Sequence, residues 1–298
     1  TCWPIDTTYY VDATCTNQDA RWLYWQLKQL RLDELNKSAA VPGLNREDAY
    51  RTRLRLPPLP EQRRIASTLD EAQSLREGRV AAIHRLGVLS KGIFETSFGT
   101  PDVTHWPVGT VADLIGSASY GTSAKAGVDG DYVVLRMGNL TATGALDLID
   151  LKRIDIAEKD RERYLVQTDD VLFNRTNSAE LVGKSARYSL SEPMAYAGYL
   201  VRLRPKPGYS GHYLAGFLNS RWAKERLRGM AKSIVGMANI NAKEVQSIPA
   251  PIPSAEAQAE FAALSERMEN LRALERSHLG TTDELFASLQ HRAFRGEL

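Results

Sequence analysis

Apolar residues recur at three- and four-residue steps in two stretches of the chain. In the first they are Ile65, Leu69, Ala72, Leu75, Ile83, Leu86, Leu89 and Ile93; in the second, Phe261, Leu264, Met268, Leu271, Leu274, Leu285 and Leu289. That spacing predicts two amphipathic helices, over Gln62–Phe98 and Ser254–Phe294, each a narrow apolar stripe on a charged body. The first covers 37 residues. At 1.5 Å per residue it is roughly 55 Å long, which suits a spacer better than a helix inside a compact domain. So narrow a stripe is what a helix–helix seam requires, and the two helices are expected to pair antiparallel through it. Gly78, Gly87 and Gly92 weaken the first helix, and Gly280 is expected to interrupt the second near Thr281-Thr282.

Between these helices, from Pro101 to Ile252, the pattern changes to short β-rich runs: Tyr132–Leu135, Asp170–Phe173 and Tyr199–Leu203. Turn signals separate them, at Asp129-Gly130 and Pro205-Lys206-Pro207-Gly208. Tyr213 to Met230 reads as helix. The region is expected to be one α+β domain, with its strands first and its helical part later. At the other end of the chain, Cys2 to Val11 reads as strand material entered midway.

An internal repeat joins the two helical stretches. At a constant offset of 196, Asn45 aligns with Asn241, Pro57 with Pro253, Gln62 with Gln258, Ile65 with Phe261, Leu75 with Leu271, Leu89 with Leu285, Ile93 with Leu289 and Phe98 with Phe294. With a short gap, Trp22–Leu27 also resembles His212–Leu218. Each unit closes in the same way: a Pro-rich extended stretch stops a strand, because proline fixes φ and lacks a donor, and a long helix follows.

Composition narrows the class. A length of 298 residues suggests about two domains, and 43% hydrophobic residues suffice for ordinary cores. No apolar run approaches the ~20 residues a membrane helix needs, and no signal-peptide pattern opens the chain. Cys2 and Cys15 form no Cys-x-x-Cys motif, so a reducing cytoplasm fits better than a disulfide scaffold.

The net charge is only +2, but it is unevenly spread: Asn174–Lys243 holds 12 Lys/Arg against 3 Asp/Glu, while Pro101–Phe173 holds 7 against 12. A local basic surface is expected of a polyanion site. The segment opens on Asn174-Arg175-Thr176-Asn177-Ser178-Ala179-Glu180-Leu181-Val182-Gly183-Lys184. That loop is rich in donors for phosphates and base edges, though alone it is equally a solvated connector. The DNA-contact candidates are Tyr120, Thr122, Ser123 and Lys125 in a glycine-flanked polar loop; Arg136 and Asn139 after a strand; Arg175, Asn177, Ser178 and Lys184; and Lys232, Asn239 and Asn241. Arg136, Asn139, Arg175 and Asn177 have the donors for guanine and adenine edges, and Lys125, Lys184 and Lys232 suit phosphates. Arg136 or Asn139 could instead tie loops together.

Catalytic signals are weak. Ser178–Ser185 nearly spells a P-loop but has Ser178 where the first glycine is needed. Asp102, Asp150 and Lys152 loosely mimic a nuclease metal motif, which keeps a divalent-metal-dependent DNA nuclease as an alternative. A DNA-independent coiled-coil scaffold is the other. The five histidines have no metal spacing, and His84, His278 and His291 are expected on solvated helix faces.

Four segments together carry a family resemblance: Asn174–Lys184, Leu135–Leu140, Gly236–Lys243 and Leu56–Ile65. They resemble, in order and over nearly the whole chain, the recognition domains and spacer entry of type I restriction-modification specificity subunits. The resemblance implies an α+β fold in which target recognition domains are joined by two long antiparallel coiled-coil spacer helices. On it, residues 1–58 would be the C-terminal part of a first recognition domain, 59–99 the first spacer helix, 100–252 a complete second recognition domain and 253–298 the second spacer helix. It implies a non-catalytic subunit whose domains each read half of a bipartite double-stranded DNA site. Its helices would dock methyltransferase subunits, and a restriction/translocase subunit would join them. No cofactor is expected on this chain; S-adenosylmethionine, ATP and Mg would belong to the partners. A chain entered midway through a first domain would leave Trp3, Tyr9, Tyr10, Trp22, Tyr24 and Trp25 short of packing surface, favouring poor solubility or a self-dimer.

Overall fold

The computed structural model describes residues 10–35, 43–178, 181–230, 232–234 and 237–298. It divides into two compact units: residues 1–84 with 272–298, and residues 85–271. Cys2, Trp3, Tyr9 and the strand expected near the N-terminus lie outside the described residues.

Both long helices form, as Leu59–Phe98 and Ala255–Arg295. Neither is broken by glycine, contrary to the expectation at Gly280. Thr281 and Thr282 bond their hydroxyls to the Ser277 and His278 carbonyls within the helix, so these residues are satisfied without ending it. The helices run antiparallel inside each unit. In the first, Arg76 pairs with Asp283 and Arg79 with Glu275; in the second, Phe94 and Phe98 meet Phe261.

The continuous apolar seam does not form. Ile65, Leu69, Ala72, Phe261 and Met268 are buried, but Leu75, Leu89, Leu264, Leu271, Leu274 and Leu285 are exposed. The buried apolar side chains lie toward the two ends of each helix, with Phe94, Phe98 and Ala293 buried at the far ends, under other elements of each unit. Between those ends, the helices contact each other partly through ion pairs, and the stripe is left to solvent. No described helix is long and apolar enough to cross a membrane.

In the first unit, Asp19 caps the helix Ala20–Gln29, accepting from the Arg21 and Trp22 N–H groups. Trp22 and Trp25 from that helix pack on Ile65, Ala66, Leu69 and Ala293. Each tryptophan is 1% exposed, so the expected loss of packing does not hold for them: the long helices supply the missing wall. Tyr10 and Tyr24 are exposed.

In the second unit a four-stranded antiparallel sheet has the order Ile115–Tyr120, Leu200–Pro205, Val171–Asn174, Ser185–Arg187. Every residue of Val171–Asn174 is buried, as a run of apolar residues in an interior strand requires. Side chains alternate between two faces. Val171, Phe173, Val201 and Leu203 join Phe94, Phe98, Tyr213 and Phe217 in one core. Leu172, Leu200 and Ala186 join Leu135, Leu140 and Tyr196 in another. The second face is covered by a three-stranded sheet, Lys152–Ile154, Tyr132–Leu135 and Ala195–Tyr196.

The sequence order "strands first, helices later" is too simple. Tyr213–Met230 splits into helices Gly211–Asn219 and Arg221–Met230, because Ser220 is extended and its hydroxyl accepts from the Ala223 N–H. Strands then resume. Pro249–Pro251 pairs with Val108–Thr110, and Met237–Asn239 pairs with both Lys232–Ile234 and Thr176–Asn177.

Candidate nucleic-acid interface

Three strands of the main sheet end together. Tyr120 pairs with Val201, and Asn174 with Leu200, so the last residues of two strands flank the start of the third. The chain leaves this end through two polar segments, after Tyr120 and after Asn174, and those segments carry most of the expected contact residues.

Arg175 lies at the centre. Its guanidinium sits 4.9 Å from the Tyr120 ring centroid, a stacked cation on an aromatic face. Its Nε finds no hydrogen-bond partner among the described residues. The Tyr120 hydroxyl accepts from the Ala242 N–H at 3.0 Å, and the Arg175 carbonyl accepts from the Ile240 N–H at 2.9 Å. The strand Thr176–Asn177 adds to Met237–Asn239 with Asn239 opposite Thr176. Tyr120, Arg175, Asn177, Asn239 and Asn241 therefore converge from three distant stretches of sequence.

Several candidates are instead occupied in holding the loops. Asn139 is 3% exposed; its oxygen accepts from the Arg136 N–H, and its amide donates to the Asp147 and Asp150 carbonyls. Arg136 pairs with the Asp150 carboxylate at 2.8 Å. The loop-tying role thus describes both residues in this conformation, and a base edge would have to displace those bonds. Thr122 is buried and its hydroxyl accepts from the Ala124 N–H. Asn241 caps the helix Ala242–Gln246: its side chain accepts from the Glu244 N–H while Glu244 accepts from its backbone. Asn177 accepts from the Ser178 N–H, leaving its amide nitrogen without a hydrogen bond among the described residues.

Ser123, Lys125 and Ser178 are exposed, and Lys184 is half-buried, with its ammonium donating to the Met137 carbonyl at 3.1 Å. Burial lowers the Lys184 pKa from the ordinary lysine value. Lys232 opens a strand, and its side chain, like Ala179 and Glu180, lies outside the described residues.

The basic surface is smaller than the charge count implies. Arg204 pairs bidentately with the buried Asp170, at 2.8 Å through both nitrogens, and Arg202 lies 3.9 Å from the same carboxylate. Arg187 pairs with Glu269 and Asp169. Acidic residues counted upstream thus neutralise cations counted downstream. Lys224, Arg226, Arg228 and Lys243 remain without a carboxylate partner among the described residues. Lys224 was not a sequence candidate; its position in a basic helix gave no sign of how it folds back.

The nuclease alternative gains nothing. Asp102 accepts from the Trp222 indole at 2.6 Å, and Asp150 is held by Arg136. No group of three or more His, Cys, Asp or Glu side chains that could hold a metal occurs among the described residues. His84, His278 and His291 are exposed, while His212 is half-buried beside Glu269.

Fold and site define a class: an α+β unit with a polar, cation-bearing end to its main sheet. The chain is similar to type I restriction enzyme specificity subunits. It is 22% identical over 290 residues to the EcoKI specificity subunit of Escherichia coli (strain K12) and 21% identical over 289 residues to the StySPI specificity subunit of Salmonella potsdam. Each match covers 90% of this chain and 62% of the relative, so the chain spans less than two thirds of their length. It has the fold of the type I restriction-modification S subunit from M. genitalium, with a TM-score of 0.57, 15% identity, and 93% of this chain matched to 72% of that one. A chain solved in work on complex assembly and conformational transition of the type I R-M system gives a TM-score of 0.57 at 16% identity, covering 94% and 72%. No family model matches the chain.

Proposed function

We propose that this chain is a non-catalytic DNA-specificity subunit of a type I restriction-modification complex, its second unit reading one half of a bipartite site. The observation that carries the reading is the convergence of Tyr120, Arg175, Asn177 and Asn239 at one end of the sheet. Arg175 presents a planar guanidinium already oriented by an aromatic ring, which suits a base edge. Lys125, Lys184 and Lys232 would hold phosphates and set the register. Residues 100–252 would form the recognition domain, 1–58 the end of another, and the helices the spacer that fixes the distance between half-sites. The exposed leucines on both helices suit methyltransferase subunits, with a restriction/translocase subunit beyond them. S-adenosylmethionine, ATP and Mg would then act on those partners and not on this chain.

The test is a duplex titration across salt, with methylation mapping of the source strain as the specificity readout. Arg175→Ala should weaken specific binding by roughly 1–3 kcal/mol and relax one base position. Unchanged affinity with an unchanged methylation motif would remove Arg175 from the site, and the absence of salt-dependent binding by the parent chain would remove the DNA reading.

A further inference from the structure

Lys224 lies on the helix Arg221–Met230, outside the loops that meet at Arg175. It is half-buried, and its ammonium donates to the Gly183 carbonyl. Three other cations act on it: Lys184, next along that loop; Arg228, one turn further on its own helix; and Lys91, on the helix Leu59–Phe98. Lys91 stands one turn before Glu95, whose carboxylate accepts from the Arg221 N–H at 3.3 Å, so the two helices are in register here. Among the described carboxylates of these two helices, Glu225 pairs with Arg221 at 3.0 Å and Glu95 accepts the Arg221 N–H. None of the four cations has a carboxylate partner among the described residues. Two of the three ammonium groups, those of Lys184 and Lys224, are anchored on backbone carbonyls, so the cluster is preorganised. Four cations from three elements, without a carboxylate partner among the described residues, raise the local potential and favour an anion with several acceptor oxygens.

We propose that Lys91, Lys184, Lys224 and Arg228 form a phosphate-binding site, filled by a backbone phosphate of the bound duplex beside the base-reading loops. Its assignment to a duplex rests on the DNA reading above. Burial, with the three neighbouring charges, pushes the free Lys224 down to about 7. A phosphate would restore its charge, so engagement takes up a proton when the surroundings are more alkaline than that. At about pH 6 the free Lys224 is mostly charged; at about pH 8 it is mostly neutral, so binding should weaken about tenfold between them.

The experiment titrates the full chain with a mixed-sequence duplex at both pH values and several salt concentrations. Lys224→Met, Lys91→Gln and Arg228→Gln are run beside it, and inorganic phosphate is followed separately by thermal melting. Lys224→Met should bind more weakly and lose the pH dependence. Lys91→Gln and Arg228→Gln, both at exposed positions, should each lower the salt slope by about 1. Wild-type slopes and affinity in those two variants would overturn the site even if Lys224→Met fails to fold. A parent chain that ignores duplex but is stabilised by inorganic phosphate through Lys224 would overturn the DNA reading and assign the site to free phosphate. Response to neither would overturn both.

Discussion

The two ends of the internal repeat use the same hydrogen bonds around different apolar cores. In the first unit the Gln62 side chain donates to the Pro57 carbonyl at 2.8 Å and accepts from the Asp19 N–H at 2.9 Å. In the second, Gln258 donates to the Pro253 carbonyl at 3.1 Å and accepts from the Ser210 N–H at 3.1 Å. Asp19 and Ser210 are each the capping residue of the helix packed against the long one. Both glutamines are buried, at 0% and 1%. Each thus ties a Pro-rich entry, a long helix and a short helix with one side chain.

The cores around them exchange bulk. The first fills the joint with Trp22 and Trp25 from the short helix, against Ile65. The second has Gly216 in its short helix, and a Cβ there would lie 2.7 Å from a Phe94 ring atom. Its volume comes instead from Phe94, Phe98 and Phe261 on the long helices. Apolar packing is non-directional and tolerates redistribution of volume, whereas a buried amide needs its partners in place. Hence the glutamines hold their positions at the two joints while the aromatics move.

The largest expected effects test the exchanged bulk. Trp25→Ala and Phe94→Ala should each cost about 3–5 kcal/mol, the loss from truncating a buried aromatic. Hydrogen exchange should place the first loss in residues 10–84 and 272–298 and the second in 85–271. Losses of equal size in both units from either variant would break the division on which the comparison stands. Next come the glutamines. Gln62→Ala and Gln258→Ala each orphan a half-buried cap N–H and a carbonyl, so each should cost about 1–3 kcal/mol by chemical denaturation. Near-neutral behaviour of one would show that its joint is held by packing alone.

The charged lock at each joint differs in a way that pH can read. Arg21, just before Trp22, pairs with Asp70 at 2.7 Å. His212, just before Tyr213, lies 3.5 Å from Glu269. Burial, then the Arg187 charge, hold the His212 pKa below its ordinary 6.5 despite Glu269. Because the folded unit resists that proton and the unfolded chain accepts it, stability is full above about 6.5 and is lost as pH falls below it. Melting temperatures across this window should therefore fall for the second unit, and His212→Gln should flatten the fall. An equally steep fall in His212→Gln would assign the acid sensitivity to other groups.

Much of this was legible from sequence. The repeat offset located Gln62 and Gln258, and Asn45 and Asn241, because caps and buried amides depend on residue type. The strand Val171–Asn174 showed as an apolar run. The seam was misread because a three-and-four spacing records an apolar stripe without saying what covers it, and Leu75 and Leu271 are uncovered in this chain. Trp22 and Trp25 were expected short of packing because their wall includes Ala293, far along the sequence. Arg175 stood out by type, but its Tyr120 platform is a tertiary contact, as is the fold-back that brings Lys224 to Gly183. Arg202 and Arg204 looked like surface charge because the partner, Asp170, lies on a neighbouring strand edge.

The smallest effects concern the paired asparagines. Asn45 caps the five-residue helix Arg46–Tyr50, accepting from the Glu47 N–H at 2.8 Å. Asn241 caps the five-residue helix Ala242–Gln246 by reciprocal bonds with Glu244. Replacement by alanine should cost about 0.5–2 kcal/mol at each, and aspartate should cap nearly as well. Only Asn241 stands at the proposed interface, beside the Tyr120 hydroxyl that holds the next N–H. Asn45→Asp and Asn241→Asp should therefore match wild type in melting temperature, while Asn241→Asp alone weakens duplex binding, because its new charge faces phosphates. Equal binding by both aspartate variants would make Asn241 a cap and nothing more.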